Sequence, residues 1–343
     1  MNQPLQIFGT FGPTCHTRTT LEKLLSCGMT GLRYNLSHGR LQDNADWFDQ
    51  LDAAQQATKK TCLRLMDLQG REYRTGNVTL TIEKGKLYPL SQLALPAAVT
   101  AHLNEGTLLN IGDACLEMEV KENENQLYLY ARNSGTIEPR RSFRIQSDND
   151  LPVLSESDLQ NLKEAARFGI SGVMIPFVQN GHDVAQVRQA VAPWLPHALM
   201  YAKIESMEGV RNIDSIASES DMIVIARGDL AAACRLEWLG AVQDYLEQAC
   251  HRLQAPYMIV TQMLESMRHD PVCTRPEAVG IYDAVKKGAS AIMLTGETAL
   301  SDYPVEAMDF FCRTAAHACQ IRNDPDSLTA DLLSGCTGPA DPA

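Results

Sequence analysis

Tyr201-Ala202-Lys203-Ile204-Glu205 and Ile223-Val224-Ile225-Ala226-Arg227-Gly228-Asp229-Leu230 bracket the stretch on which the fold turns. Each is a short apolar run ending in charge, the pattern of a buried strand that reaches a polar edge. The polar segment 212–220 between them has room for one short helix. Strand, helix, strand implies a parallel pair, because parallel strands need a crossover connection. Two neighbouring parallel strands then deliver Lys203, Glu205, Arg227 and Asp229 to one edge of a sheet. Two carboxylates at one point suit a hard divalent cation that takes oxygen ligands from protein and substrate. Lys203 and Arg227 beside them suit an anionic substrate and developing negative charge. Structural salt bridges are the plainer alternative, but two matched pairs at neighbouring strand ends favour function.

Working outward, the same strand-then-helix rhythm recurs along the chain. Strand patterns fall at 5–11, 31–37, 61–67 and 172–178, and again at 257–261 and 291–295. Helical periodicity follows at 19–27, 42–58, 155–168, 183–192, 236–253, 276–287 and 305–319. Ser155 and Asp158 form a capping box in which Asp takes the place of the usual Glu. With the two opening runs the strands number eight, which predicts an α/β fold of the (β/α)8 TIM barrel type rather than an open doubly wound sheet. Residues 75–151 break the rhythm with short β-like runs at 78–82, 107–111, 116–120 and 126–131, separated by turn signals. The expected organisation is therefore a discontinuous barrel, 1–74 and 152–322. A small β-rich domain, 75–151, is inserted after the third strand, and a Pro-, Gly- and Asp-rich tail covers 323–343. The stripe Leu236, Leu239, Val242, Leu246 is expected to pack into the core.

Composition narrows the function. The 343 residues are 45% hydrophobic with a formal net charge of −12, which disfavours the phosphate backbone of nucleic acid as a partner. Ten cysteines occur without a C-x-x-C pair, consistent with reduced core thiols and a cytoplasmic protein. No run of 18 apolar residues is present, so no membrane span is expected. The strand ends carry Thr10, then Arg33, Asn35, Ser37 and His38, then Asp67, Glu72 and Arg74. Later ends carry Thr261 with Gln262, and Thr295 with Glu297. No Gly-rich phosphate loop follows any strand, so bound phosphates would be held by side chains and metal. His38 reads equally well as a turn histidine or a ligand contact.

Several of these runs together resemble the pyruvate kinase family: Leu32-Arg33-Tyr34-Asn35-Leu36-Ser37-His38-Gly39, Asp67-Leu68-Gln69-Gly70-Arg71-Glu72-Tyr73-Arg74-Thr75-Gly76, Lys203-Ile204-Glu205, Ala226-Arg227-Gly228-Asp229-Leu230, Thr261-Gln262-Met263-Leu264-Glu265-Ser266-Met267 and Leu294-Thr295-Gly296-Glu297-Thr298-Ala299. The similarity runs collinearly over about residues 5–320, with the insert in the same place. It implies phosphoryl transfer from phosphoenolpyruvate to ADP, giving pyruvate and ATP through a metal-bound enolate. By resemblance Glu205 and Asp229 hold Mg²⁺ or Mn²⁺. Asn35, Ser37, Asp67 and the Leu68 carbonyl hold K⁺, with Glu72 the residue type of potassium-dependent members. Lys203, Arg33, Thr261 and Arg227 are the catalytic set, and Gly228 joins Asp229, Thr261 and Arg33 in substrate binding. Pro13, Asn35, His38, Arg74 and Arg141 are matched to the nucleotide.

The departures are also specific. Gln69 and Arg71 replace a lysine and a proline, and Pro176 and Gln179 replace a serine and an arginine. Ala231 replaces a glycine, while Val279 and Gly280 replace a Ser-Asp pair. The insert is shorter than the family's, and the family's C-terminal domain has no counterpart in these residues, as expected of a compact, divergent member. Two alternatives therefore stand beside the kinase: a metal-dependent lyase working through the pyruvate enolate, and a weakly active phosphometabolite-binding homologue. A homo-oligomer formed through the barrel is compatible with all three.

Overall fold

A computed structural model describes residues 4–71, 73–112, 116–123, 126–139, 141–146 and 152–324. Eight parallel strands close into a barrel: β1 (Gln6–Thr10), β2 (Gly31–Asn35), β3 (Leu63–Asp67), β4 (Gly172–Ile175), β5 (Leu199–Ile204), β6 (Met222–Ala226), β7 (Tyr257–Val260) and β8 (Ala291–Met293). The ring closes through β8 pairing with β1, Gln6 opposite Ala291. Helices α1 (Arg18–Cys27), α2 (Ala45–Thr58), α3 (Glu156–Glu164), α4 (Gly181–Val191), α5 (Ile213–Glu219), α6 (Arg227–Cys234), α7 (Leu239–Leu253), α8 (Arg275–Lys286) and α9 (Pro304–Asn323) lie between and after the strands. The α/β barrel read from the sequence is thus the architecture found.

The period of two explains what fills the barrel. Phe8, Leu65, Met174, Tyr201, Val224, Met258 and Met293 form one buried cluster, and each sits at alternate positions of its strand. Two of these side chains are accommodated by glycines. A Cβ on Gly31 would lie 2.0 Å from the Phe8 ring, and one on Gly172 would lie 2.9 Å from Tyr201. The opposite strand faces pack under the helices in a larger cluster that includes Leu21, Leu24, Leu25, Phe48 and Leu51. The alternation that buries Leu65 also turns Asp67 inward, and the one that buries Tyr201 turns Lys203 inward. Polar chemistry at the top of the barrel is therefore a continuation of its core.

Several boundaries differ from the sequence reading. The segment 212–220 is preceded by a second helical turn, Met207–Arg211. Strand β6 ends at Ala226, and Arg227, Gly228 and Asp229 form the first turn of α6. An acidic residue there is favoured by the helix dipole. Leu236 is 73% exposed, which corrects its assignment to the core. It lies in a separate 3-10 turn, Leu236–Trp238, so the helical stripe begins only at Leu239.

Five strands of the inserted segment and the Tyr73–Arg74 strand just before it form an antiparallel sheet in the order Tyr73–Arg74, Ser142–Gln146, Leu108–Ile111, Leu116–Asn123, Gln126–Ala131, Leu87–Pro89. A two-stranded ribbon pairs Leu80–Ile82 with Gly135–Ile137. These elements share their own apolar cluster, with Leu109, Met118, Val120, Leu129 and Phe143 buried. The strands at 73–74, 87–89 and 135–137 are too short to show any period in sequence.

Two buried carboxylates secure the chain where it leaves and re-enters the barrel. Asp158 completes the capping box with Ser155, and its two oxygens also accept the backbone N–H groups of Gln69 and Gly70 at 2.8 Å. Gly70 has φ +49°, and a Cβ there would meet Pro176 at 2.7 Å, so no other residue fits without strain. Arg71 then reaches Asp183 on α4 through two bonds of 2.8 and 3.1 Å, both side chains being buried.

Candidate active site

The C-terminal ends of the barrel strands enclose a cavity of about 180 Å³. Arg33 and Asn35 from β2, Asp67 from β3 and Lys203 at the end of β5 reach it. Glu205, Asp229, Thr261 and Thr295 come from the residues that follow β5 to β8. Its floor is apolar because the uppermost residues of the barrel interior, Met174, Ala226, Val260 and Met293, belong to the core cluster below. Phe177 and Phe143 complete the lining, the latter contributed by the inserted sheet.

Asp67 is the hub of the charged wall. Its Oδ2 accepts from Arg33 Nε at 2.8 Å and Nη2 at 2.6 Å, while Lys203 Nζ lies 3.1 Å from Oδ1 and 3.2 Å from Oδ2. Lys203 is also 3.4 Å from Glu205 Oε1, and the second oxygen of Glu205 accepts the Phe177 N–H at 2.9 Å. Burial pushes the Glu205 carboxyl above its ordinary range; Lys203 opposes this, and the negative charges of Asp229 and Asp67 add to it. Among the described residues that line the cavity, Arg33 and Lys203 thus stand with three carboxylates, Asp67, Glu205 and Asp229.

The turn after β7 carries unusual backbone. Thr261 and Gln262 have φ of 69° and 51°, a region that a β-branched residue such as Thr rarely adopts. Arg227 holds that turn: its guanidinium donates to the carbonyls of Thr261 at 2.7 Å and Gln262 at 2.9 Å. The Thr261 hydroxyl donates to the Val260 carbonyl at 2.6 Å and accepts the Gly228 N–H at 2.8 Å. Thr295 is set similarly, since buried Glu297 accepts its N–H and hydroxyl with one oxygen and the N–H groups of Met263 and Leu264 with the other.

Of the residues singled out in sequence, Arg33, Asn35, Asp67, Lys203, Glu205, Asp229, Thr261 and Thr295 line one cavity. Arg227 and Gly228 do not line it; they support the Thr261 turn. Ser37 is buried one turn away, its N–H bonded to Asn35 Oδ1 at 3.1 Å. Leu68 donates its N–H to the Met174 carbonyl. Pro13 is exposed, Arg74 lies on the short strand opposite Ser142, and Arg141 pairs with Glu138 at 3.0 Å. Glu72 and the His38 side chain, like 325–343, fall outside the described residues. The sequence reading missed the two phenylalanines. Phe177 follows Pro176 and has φ +49°, a local oddity that sequence hardly signals, and nothing in sequence places Phe143 above the barrel.

Among the described residues no group of three or more His, Cys, Asp or Glu side chains forms a ready-made metal cage. Glu205 and Asp229 nevertheless suit Mg²⁺ or Mn²⁺, because such ions are held by one or two carboxylates with the remaining oxygens from substrate. A monovalent ion fits less well. Asp67 Oδ1 is buried and accepts no hydrogen bond, but the same carboxylate already faces Arg33 and Lys203, and Asn35 Oδ1 is occupied by the Ser37 amide.

A closed eight-stranded α/β barrel with buried charges at the C-terminal ends of its strands defines the (β/α)8 class, whose active sites sit at that face. Residues 2–308 match the family model for the pyruvate kinase barrel domain, and the chain belongs to the pyruvate kinase family. It is 33% identical over 327 residues to pyruvate kinase of Aeropyrum pernix, covering 93% of this chain and 71% of that protein. The Leishmania mexicana pyruvate kinase is 31% identical over 338 residues, with 93% and 68% covered. The Staphylococcus epidermidis pyruvate kinase is 29% identical over 343 residues, with 95% and 58% covered. The chain therefore spans less than two thirds of the staphylococcal relative's length. Among the described residues no helix is long and apolar enough to cross a membrane.

Proposed function

We propose that this cavity stabilises the enolate of pyruvate, and that the chain is a pyruvate kinase-like phosphotransferase converting phosphoenolpyruvate and ADP to pyruvate and ATP. The observation that carries the reading is Lys203, a buried ammonium held between Asp67 and Glu205 at the cavity wall. In the transfer, the phosphorus–oxygen bond of phosphoenolpyruvate breaks and the phosphoryl group passes to a terminal oxygen of ADP. The electron pair stays on the enol oxygen, and protonation at C3 then gives pyruvate. Phosphoryl transfer is mostly positioning and charge stabilisation, so fixed cations suffice. Lys203 faces the negative charge that develops on the enolate oxygen, and Arg33 faces the phosphoryl oxygens. Asp67 orients both by binding them together. A divalent ion held by Glu205 and Asp229 would supply further positive charge to the carboxylate and enol oxygens.

The Thr261 hydroxyl gives its hydrogen to the Val260 carbonyl, so its role here is to shape the wall near C3. The inserted segment 75–151 serves as a lid, and the nucleotide enters between it and the barrel past Arg74 and Arg141. The modest cavity volume favours a second reading, lyase chemistry on a 2-oxo acid through the same enolate. Purified protein incubated with phosphoenolpyruvate, ADP, Mg²⁺ and K⁺, with products identified, tests the first. Consumption of ADP in step with pyruvate formation supports it. Exchange of pyruvate methyl protons with D₂O, unaffected by nucleotide and without ATP formation, would replace it with the second. Neither activity would overturn both.

A further inference from the structure

We propose that Glu297 is a positioning residue that joins the turns after β7 and β8 into one unit and so fixes Thr261 and Thr295 in the cavity wall. The inference rests on the enolate reading of the site and adds which buried group holds that wall in place. Glu297 is fully buried, yet neither the phosphoryl transfer nor the metal uses it. Its Oε1 accepts the N–H groups of Met263 and Leu264, both at 3.1 Å. Its Oε2 accepts the Thr295 N–H at 2.7 Å and the Thr295 hydroxyl at 3.0 Å. All these partners are donors, and among side chains only an ionised carboxylate offers two oxygens that accept and never donate.

The turn that Glu297 grips is the one with Thr261 and Gln262 at positive φ. Such backbone persists only where surrounding contacts over-determine it. Here the contacts come from both ends. Arg227 binds the carbonyls of Thr261 and Gln262, and Glu297 binds the two amides that follow. Burial lowers the pKa of Arg227 and the Glu297 charge opposes that, so the two supports favour each other across the turn. Unlike Glu297, Thr261 and Thr295 are only half-buried, and both line the cavity. Both hydroxyl hydrogens are given to protein acceptors, the Val260 carbonyl and Glu297. Each side chain therefore has a lone pair and a methyl group, not a proton, to present to a ligand. Glu297 sets that polarity at Thr295 while holding it in register with Thr261.

Glu297→Gln sets an amide NH₂ against either the Met263 and Leu264 amides or the Thr295 N–H, so one turn loses its support. Turnover of phosphoenolpyruvate with ADP, or methyl-proton exchange of pyruvate in D₂O, should fall about a hundredfold, the loss that a displacement of about 1 Å causes. Mn²⁺ affinity and KM should stay close to wild type, because Arg33, Glu205 and Asp229 belong to other strand ends. A double-mutant cycle separates positioning from stability alone. In a Thr261→Ala, Thr295→Ala background, Glu297→Gln should lower the rate by less than about threefold, since residues that act as a unit are not additive. A further loss of full size in that background overturns the proposal. So does a folded Glu297→Gln that is less stable but turns over at the wild-type rate; either result leaves the enolate reading intact. Glu297→Asp keeps the charge with a shorter reach and decides the matter if Glu297→Gln does not fold. It should lower kcat and leave KM, and a wild-type kcat counts against Glu297 in the same way. Wild type that neither forms pyruvate from phosphoenolpyruvate nor exchanges methyl protons overturns the enolate reading, and this inference with it.

Discussion

The barrel side of the cavity and the side formed by the inserted segment are built by different means. On the barrel side, Asp67 and Lys203 stand in alternation with Leu65 and Tyr201, so one rule places both core and chemistry. On the other side, Phe143 is positioned by an antiparallel sheet whose edge strand is two residues long. That sheet is anchored to the barrel through Asp158 and the Arg71–Asp183 pair. The first arrangement is local and repeats; the second depends on contacts between distant parts of the chain. The comparison teaches that one cavity can join a wall prescribed by strand period to a side prescribed by tertiary contacts. Gln69 and Arg71, two of the departures from the family's pattern, fall at the join.

The sharpest break between the two sides should come from Lys203→Met. A cation aimed at an oxygen that becomes negative only during reaction stabilises the transition state more than bound ligand. Turnover, or methyl-proton exchange of pyruvate in D₂O, should fall roughly a hundred- to a thousand-fold, with Mn²⁺ and pyruvate affinity much less affected. Exchange as fast as in wild type would remove Lys203 from the chemistry.

The next largest effect is expected at the anchor. Arg71→Met leaves Asp183 buried with its opposite charge gone, a loss of roughly 3 kcal/mol in unfolding free energy by chemical denaturation. Adding Asp183→Asn should recover part of that loss. If Arg71→Met unfolds at the wild-type denaturant concentration, the pair does not anchor the insert.

Glu205→Gln and Asp229→Asn probe the ligand set. Each should weaken Mn²⁺ binding, followed by electron paramagnetic resonance, by about tenfold or more, since these two carboxylates are the protein's share of the coordination. The far-ultraviolet circular dichroism should not change. Full affinity in both variants would place the ion elsewhere.

The smallest effect concerns K⁺. Because Asp67 is already bound by Arg33 and Lys203, replacing tetramethylammonium with K⁺ should stimulate activity by less than about tenfold, the ratio that 1.4 kcal/mol would produce. Near-absolute dependence would mean that Asp67 exchanges its cationic partners for the ion, and would sharpen the barrel side into a second cation site.

Much of this molecule is legible in order along the chain. The eight strand patterns give the closed barrel, and Ser155 with Asp158 gives a true capping box. The Asp in place of Glu there has a reason visible only in three dimensions, because its oxygens also bind Gln69 and Gly70. Leu236 departs from the helical stripe because spacing alone cannot distinguish a helix from a 3-10 turn that precedes it. A charge at a strand end looks the same in sequence whether it faces a cavity or a neighbouring turn, and Arg227 faces the turn. Its carbonyl partners lie 34 and 35 residues away.

By itself the sequence determined the barrel and the charges at its strand ends, because a period of two is a property of neighbouring residues. Only the tertiary structure decided how those charges partner one another. Asp67 meets Arg33 across 34 residues and Lys203 across 136. It also decided that Phe143 of the inserted sheet reaches the cavity's lining. Such contacts are selected by the closure of the sheet and the packing of whole elements, and no local pattern carries them.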